Sequence, residues 1–366
     1  YTLSRGLGDV YKRQPSSSKP SSNSRNTAMG PSLQIDPKHE LVIALGDPAG
    51  IGMEVVLKAL ASPDLPKSLQ PLLVGCRSGL ISTHARLRSQ SDAPLADPRN
   101  LRIDDQPLTE DIQPGHPTVA GACSGFHWLT RAVEQLQSRG SRALVTAPIA
   151  KHLWHEAGHL YPGQTERLAE LAGTEHSSML FTAVSPHSGW RLNTLLATTH
   201  IPLGKVPAAL SPELIRRKLD VLLRFCSRFE PNPHLVVAGL NPHAGEAGKL
   251  GCEEAEWLTP LLNAWREQHP LIQLEGPVPP DSCWLNSARA WQDRTRPGPD
   301  GILALYHDQG LIPVKLLAFD AAVNTTLELP FLRTSPDHGT AFDIASRGIA
   351  CPDSMIAAIL AAWNLS

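Results

Sequence analysis

From Leu41 onward the chain alternates short, continuous apolar runs with longer stretches in which apolar residues return every three or four positions. A short apolar run fits a strand buried on both faces, whereas the wider spacing marks one side of a helix. Their alternation predicts βαβ units around a mainly parallel sheet, an α/β fold. The candidate strands are Leu41–Leu45, Pro71–Gly75, Ala143–Thr146, Met179–Ala183, Asn193–Thr198, Leu235–Leu240 and Ile302–Tyr306. Among the helical stretches, Pro212–Phe229 gathers Leu214, Ile215, Leu219, Leu222, Leu223 and Cys226 on one side, a core face and not a site. Asn286–Asp300 is polar, ends in RPGPD and reads as a surface loop before a buried strand.

The N-terminal stretch stands apart from this pattern. No Met precedes Met29, and the tract SSSKPSSNSRN cannot offset its ordering entropy by burial, so residues 1–37 are expected to form a disordered or non-native extension. Within it, YTLSRGLGDVYKRQ reads as a translated library adapter, with Met29 as the expected start. A length of 366 residues allows two domains or one large α/β unit. A formal charge of −2 with 19% charged residues leaves no basic face for a phosphate backbone, so a small molecule is the expected ligand and nucleic acid is not. The six cysteines are dispersed without a CxxC pair, which argues against a disulfide framework or a thiolate zinc site and for a reducing, cytoplasmic compartment. No run approaches the roughly 20 apolar residues that a bilayer crossing requires, so no membrane association is expected.

Chemistry enters at the strand ends. His200, His243 and His307 each follow an apolar strand, in TLLATTH, LVVAGLNPH and ILALYH. Ligands of open α/β sheets bind at carboxyl ends of strands, so these three imidazoles are positioned to converge as donors to a first-row divalent ion. A strand-end histidine is also an ordinary loop hydrogen-bonder, and spacing alone leaves both readings open. The loops that follow, NPHAGEAG and YHDQG, are dense in polar and small residues, a composition common in binding loops and also in simple turns. Beyond His307 come Lys315, Asn324 and Arg333, a cation, an amide and a guanidinium fork of the kind that holds a phosphoester or carboxylate. GDPAGIG at Gly46–Gly52 lacks the GxGxxG spacing of a dinucleotide turn and reads as a tight strand-to-helix connection; TAPIAK is similar and offers Lys151.

Taken together, GDPAGIG, TAPIAK, GQTE, ATTHIPL, GLNPHAGE, GCEE, YHDQG and VKLLAFDAAVNTTLELPFLRTSPDHGTAFDIA resemble the 4-hydroxythreonine-4-phosphate dehydrogenase (PdxA) family, in that family's order from about Leu41 to the C-terminus. The resemblance implies a fold of the isocitrate/isopropylmalate dehydrogenase type. Its two α/β subdomains would flank a cleft, residues 38–147 with 325–366 on the NAD side and 148–324 carrying metal, substrate and dimer contacts. It implies a homodimer with a shared active site, in which His200, His243 and His307 hold one divalent ion (Zn2+, Mg2+ or Co2+) and His307 comes from the opposite subunit. Gln164, Thr165, Lys315, Asn324, Arg333 and Asp281 would contact the substrate, with Lys315 and Asp308 as the catalytic pair. His338, Gly339, Thr340 and Asp343 would receive NAD, or alternatively NADP.

The implied reaction oxidises 4-phosphooxy-L-threonine to a β-keto acid that loses CO2 to give 3-amino-2-oxopropyl phosphate, in pyridoxal phosphate synthesis. D-threonate or D-erythronate 4-phosphate is the alternative substrate, and a metal-dependent non-redox enzyme the alternative class. One departure stands out: the family's usual GHTE is GQTE here, which replaces a charged donor near the phosphate by the neutral amide of Gln164.

Overall fold

A computed structural model describes residues 40–366. The expected N-terminal extension, including Met29, lies outside the described residues. Eleven strands form one sheet: β1 Leu41–Ala44, β2 Leu72–Gly75, β3 Arg102–Asp105, β4 Ala143–Thr146, β5 Ser178–Val184, β6 Arg191–Leu196, β7 His234–Ala238, β8 Gln273–Val278, β9 Gly301–Ala304, β10 Val323–Leu327 and β11 Leu332–Pro336. Their spatial order is β3-β2-β1-β4-β11-β10-β5-β6-β9-β7-β8. The two wings are parallel, whereas β10 runs antiparallel to both β11 and β5, and β5 antiparallel to β6.

The helices are α1 Gly52–Ala59, α2 Arg77–Gln90, α3 Val119–Arg139, α4 Lys151–Glu156, α5 Gln164–Ala172, α6 Val206–Ala209, α7 Pro212–Cys226, α8 Thr259–Gln268, α9 Leu285–Gln292, α10 His307–Ala318 and α11 Asp353–Leu365. Strands β1, β2, β4 and β9 are buried along their whole length, as parallel strands covered by helices on both faces must be. Each fully buried Leu or Val among them contributes about 1.5–3 kcal/mol. Helix α7 begins at a Ser211 cap, whose hydroxyl accepts from the Leu214 N–H at 3.2 Å, followed by Pro212. Its buried Ile215, Leu219, Leu222 and Cys226 form the predicted core face.

All seven predicted strands are present, and four others are not legible in the pattern. In β3 and β8 most residues are exposed or only partly buried, and in β10 and β11 the sequences VNTTL and LRTSP mix Thr, Asn and Arg with apolar positions. The predicted surface loop Asn286–Asp300 is corrected: α9 occupies its first half, because Ser287, Ala290 and Trp291 form one buried face. No described helix is long and apolar enough to cross a membrane.

Candidate active site

Strands β5, β10 and β11 are the floor of the site. Register aligns Phe181 with Asn324 and Ser335, and Met179 with Thr326 and Arg333. Alternate residues of a strand share a face, so this polar central patch lies on one side of the sheet. Over it is a cavity of about 460 Å3, walled by Thr146–Ile149 and Lys151, by Gly163–Glu166 at the start of α5, by His200, by His307, Leu311 and Lys315 of α10, and by Asp337–Gly339.

Arg333 is the centre of the floor. It is 5% exposed, and its Nε and Nη2 donate to Thr146 Oγ1 at 3.0 and 2.7 Å, Nη1 to Thr326 Oγ1 at 3.3 Å and Nη2 to Gln164 Oε1 at 3.3 Å. Every one of these partners is neutral. Burial pushes the guanidinium down to about 10, against the pull of the Glu166 carboxylate, so it stays charged at neutral pH. Among the described residues neither Arg333 nor Lys151 has a carboxylate within ion-pair distance. A buried unpaired cation is costly, by several kcal/mol, unless an anion completes it. The other cavity cation, Lys315, is paired with Asp337 at 2.8 Å.

Amide groups surround this charge. Gln164 Nε2 donates to the Ala147 carbonyl at 3.0 Å, which leaves its Oε1 facing Arg333. Asn324 lines the cavity with a buried Oδ1 that has no partner, an acceptor ready for an N–H or O–H. Thr165 lies in the wall beside them.

The three histidines are divided. His200 and His307 line the cavity together, with ring centroids 5.4 Å apart. Burial first, then the charges of Lys151 and His307, holds His200 below the usual histidine range, in the neutral form that donates to metals. Asp308 Oδ1 is 2.7 Å from His307 Nδ1; an ionised carboxylate there places the ring proton on Nδ1 and leaves Nε2 with a free lone pair. His307 thus lines the same cavity of its own chain as His200. It is His243 that stays outside, exposed on the loop after β7. No group of three His, Cys, Asp or Glu able to hold a metal occurs among the described residues.

The remaining predicted residues disperse. His338 and Gly339 reach the cavity, but Thr340 and Asp343 lie beyond it. The Thr340 carbonyl accepts from the Ile51 N–H at 3.0 Å, which ties the loop after β11 to GDPAGIG. That turn meets TAPIAK as well, through Asp47 N–H to the Pro148 carbonyl at 3.0 Å, and a Cβ on Gly46 would lie 2.4 Å from the same oxygen. Asp281 is exposed and does not line the cavity. Thr146, Glu166 and Asp337 also belong to the site and were not singled out from the sequence, although they lie inside TAPIAK, GQTE and TSPDHG.

Comparison with known proteins identifies the family. The family described as pyridoxal phosphate biosynthetic protein PdxA matches over residues 67–362. The 4-hydroxythreonine-4-phosphate dehydrogenase of Synechococcus sp. strain RCC307 is 62% identical over 327 residues, covering 89% of this chain and 99% of that protein. A crystal structure of 4-hydroxythreonine-4-phosphate dehydrogenase from Klebsiella pneumoniae superposes with a TM-score of 0.74 at 35% identity, over 90% of this chain and 99% of that one. A terephthalate 1,2-cis-dihydrodioldehydrogenase from Burkholderia xenovorans LB400 shares the fold alone, with a TM-score of 0.59 at 24% identity over 89% and 98% of the two chains. The motifs, the fold and the relatives converge, and the chain belongs to the PdxA family.

Proposed function

We propose that this chain oxidises 4-phosphooxy-L-threonine with NAD and releases CO2 to give 3-amino-2-oxopropyl phosphate, a step of pyridoxal phosphate synthesis. The observation that carries the reading is the buried Arg333, with no carboxylate partner, in one cavity with the exposed, unpaired Lys151, a place suited to a phosphate dianion. The relatives' activity supplies the substrate class, and the cavity supplies the contacts.

Arg333 and Lys151 take the phosphate, with Gln164 and Thr165 completing the anion's hydrogen bonds. Asn324 Oδ1 accepts a polar hydrogen of the substrate. Lys315, fixed by Asp337, holds and moves the proton at its Nζ. His200 and His307 hold one divalent ion with a third imidazole, and Asp308 orients His307. A divalent ion held there would supply Lewis acidity toward the substrate's oxygens, and NAD held along His338, Gly339, Thr340 and Asp343 would supply the hydride acceptor.

His243 of the partner subunit is the third donor in this reading. Its support is the exposed placement of His243 and an apolar stripe along α10 and its C-terminal cap, where Ile312, Leu316 and Phe319 are 59%, 81% and 66% exposed at helical spacing, a face suited to a contact between copies. The same reading divides the chain into a cofactor half, 38–147 with 325–366, and a metal half, 148–324. A cytoplasmic location fits six free cysteines.

The test is direct. Purified protein with a divalent ion should form NADH from 4-phosphooxy-L-threonine, and D-threonate 4-phosphate and D-erythronate 4-phosphate should be poorer. Absence of NADH with the first substrate overturns the reading, and turnover without NADH identifies a non-redox enzyme.

A further inference from the structure

The loop that carries His243 has an unusual backbone. His243, Ala244, Gly245, Glu246 and Ala247 have φ of 51°, 51°, 82°, 44° and 55°, five consecutive left-handed residues of which four carry a Cβ. Residues with a Cβ avoid that region, so surrounding structure must impose the run.

One buried carboxylate stands at its entry. Glu254 is 3% exposed; its Oε1 accepts from the backbone N–H groups of Leu240 and Asn241, both at 2.8 Å, and its Oε2 accepts from Asn241 Nδ2 at 2.9 Å. All three donors are neutral groups of the two residues that lead into the left-handed run. The loop is shaped around this carboxylate, since a Cβ on Gly245 would lie 2.9 Å from Oε2 and one on Gly239 3.3 Å from Oε1. Buried Gln309, two residues after His307, ties the same entry to the other histidine: its Nε2 donates to the Gly239 carbonyl and its Oε1 accepts from the Leu305 N–H, both at 2.7 Å.

We infer that Glu254 is a positioning residue for metal binding: by clamping Leu240 and Asn241 it holds the left-handed turn that presents His243. The inference rests on the proposed reading of His243 as the third metal donor. Zn2+ titration of the metal-free dimer and the visible spectrum of its Co2+ form test it without recourse to activity. Glu254→Gln, which weakens the clamp and removes no donor to the ion, should lower Zn2+ affinity about 10- to 100-fold and shift the Co2+ bands, as loss of groups that orient ligands does.

In the Glu254→Gln/His243→Ala double variant the loss should equal that of His243→Ala alone, because both act on one ligand. Unchanged Zn2+ affinity in Glu254→Gln, or losses that add in the double variant, would overturn the inference. Should Glu254→Gln fail to fold, Asn241→Ala removes the side-chain arm of the clamp, together with the bond that Asn241 Nδ2 donates to Glu253 at 2.8 Å, keeps both backbone arms, and is judged by the same criteria. His243→Ala with full Zn2+ affinity would overturn the reading of His243 itself, whereas loss in His243→Ala with none in Glu254→Gln sinks the clamp alone.

Discussion

The two ends of the site are built by opposite means. The anion cradle around Arg333 is set on three central strands, with its partners Thr146, Thr326 and Gln164 in the same chain and little freedom to move. The proposed metal end is split: His200 and His307 are together, while His243 sits exposed on a left-handed turn. A phosphate can be met by one rigid surface, but a small ion needs donors from several directions, and the third donor of the proposed reading lies outside the chain's own cavity.

The sharpest way to break this contrast is Arg333→Ala. Each charge-assisted hydrogen bond lost is worth about 1.5–3 kcal/mol, so kcat/KM for the phosphorylated substrate should fall about 100-fold or more, with Zn2+ affinity unchanged. Parallel loss of metal in calorimetry would show that the two ends are not independent.

Mixing inactive variants tests the split itself. Co-refolded His200→Ala and His243→Ala chains should regain about a quarter of wild-type activity, because half of the dimers hold one intact site. His200→Ala mixed with Arg333→Ala should regain none, since both residues lie in one cavity. Equal rescue in the two mixtures would refute the assignment of His243 to the partner.

A smaller change is expected from Asp308→Asn, which weakens the acceptor on His307 Nδ1 and should reduce metal affinity about 10- to 100-fold while leaving phosphate affinity intact. The smallest lies on the cradle side. Asp47 is 1% exposed; burial pushes its carboxyl up from 3.8 to about 6, opposed by the Ala49 N–H and by His152. A carboxyl that holds its proton more tightly when folded contributes stability that is fully present below about pH 4 and lost as pH rises through about 6. Asp47→Asn cannot ionise, so it should raise Tm by roughly 2 °C above pH 6 and by nothing near pH 4 in thermal melts. A uniform shift at both pH values would point to packing instead.

How much of this was written along the chain differs from residue to residue. Arg333 was legible because a charge next to LELPFL is hard to bury without purpose, and it is only 5% exposed. Asn324 and Lys315 were legible as residue types near it, although β10 itself was not: VNTTL lacks the continuous apolar run that marks a buried strand. Asp281 was carried by resemblance and does not line the cavity in one chain. Glu254 had no local signal, since a carboxylate in GCEE looks like any solvated acid until the fold buries it beneath a loop.

The sequence by itself determined the α/β class, the seven apolar strands, the histidine and cation motifs and the family, because hydrophobic periodicity and ordered motifs are local properties of the chain. Only the tertiary structure decided that β10 and β11 bring Asn324 and Arg333 into register with Phe181 and Met179, that His307 stands beside His200, and that His243 faces outward. Those relations depend on strand order and on five backbone dihedrals in one loop, and neither is encoded by residues that are neighbours in sequence.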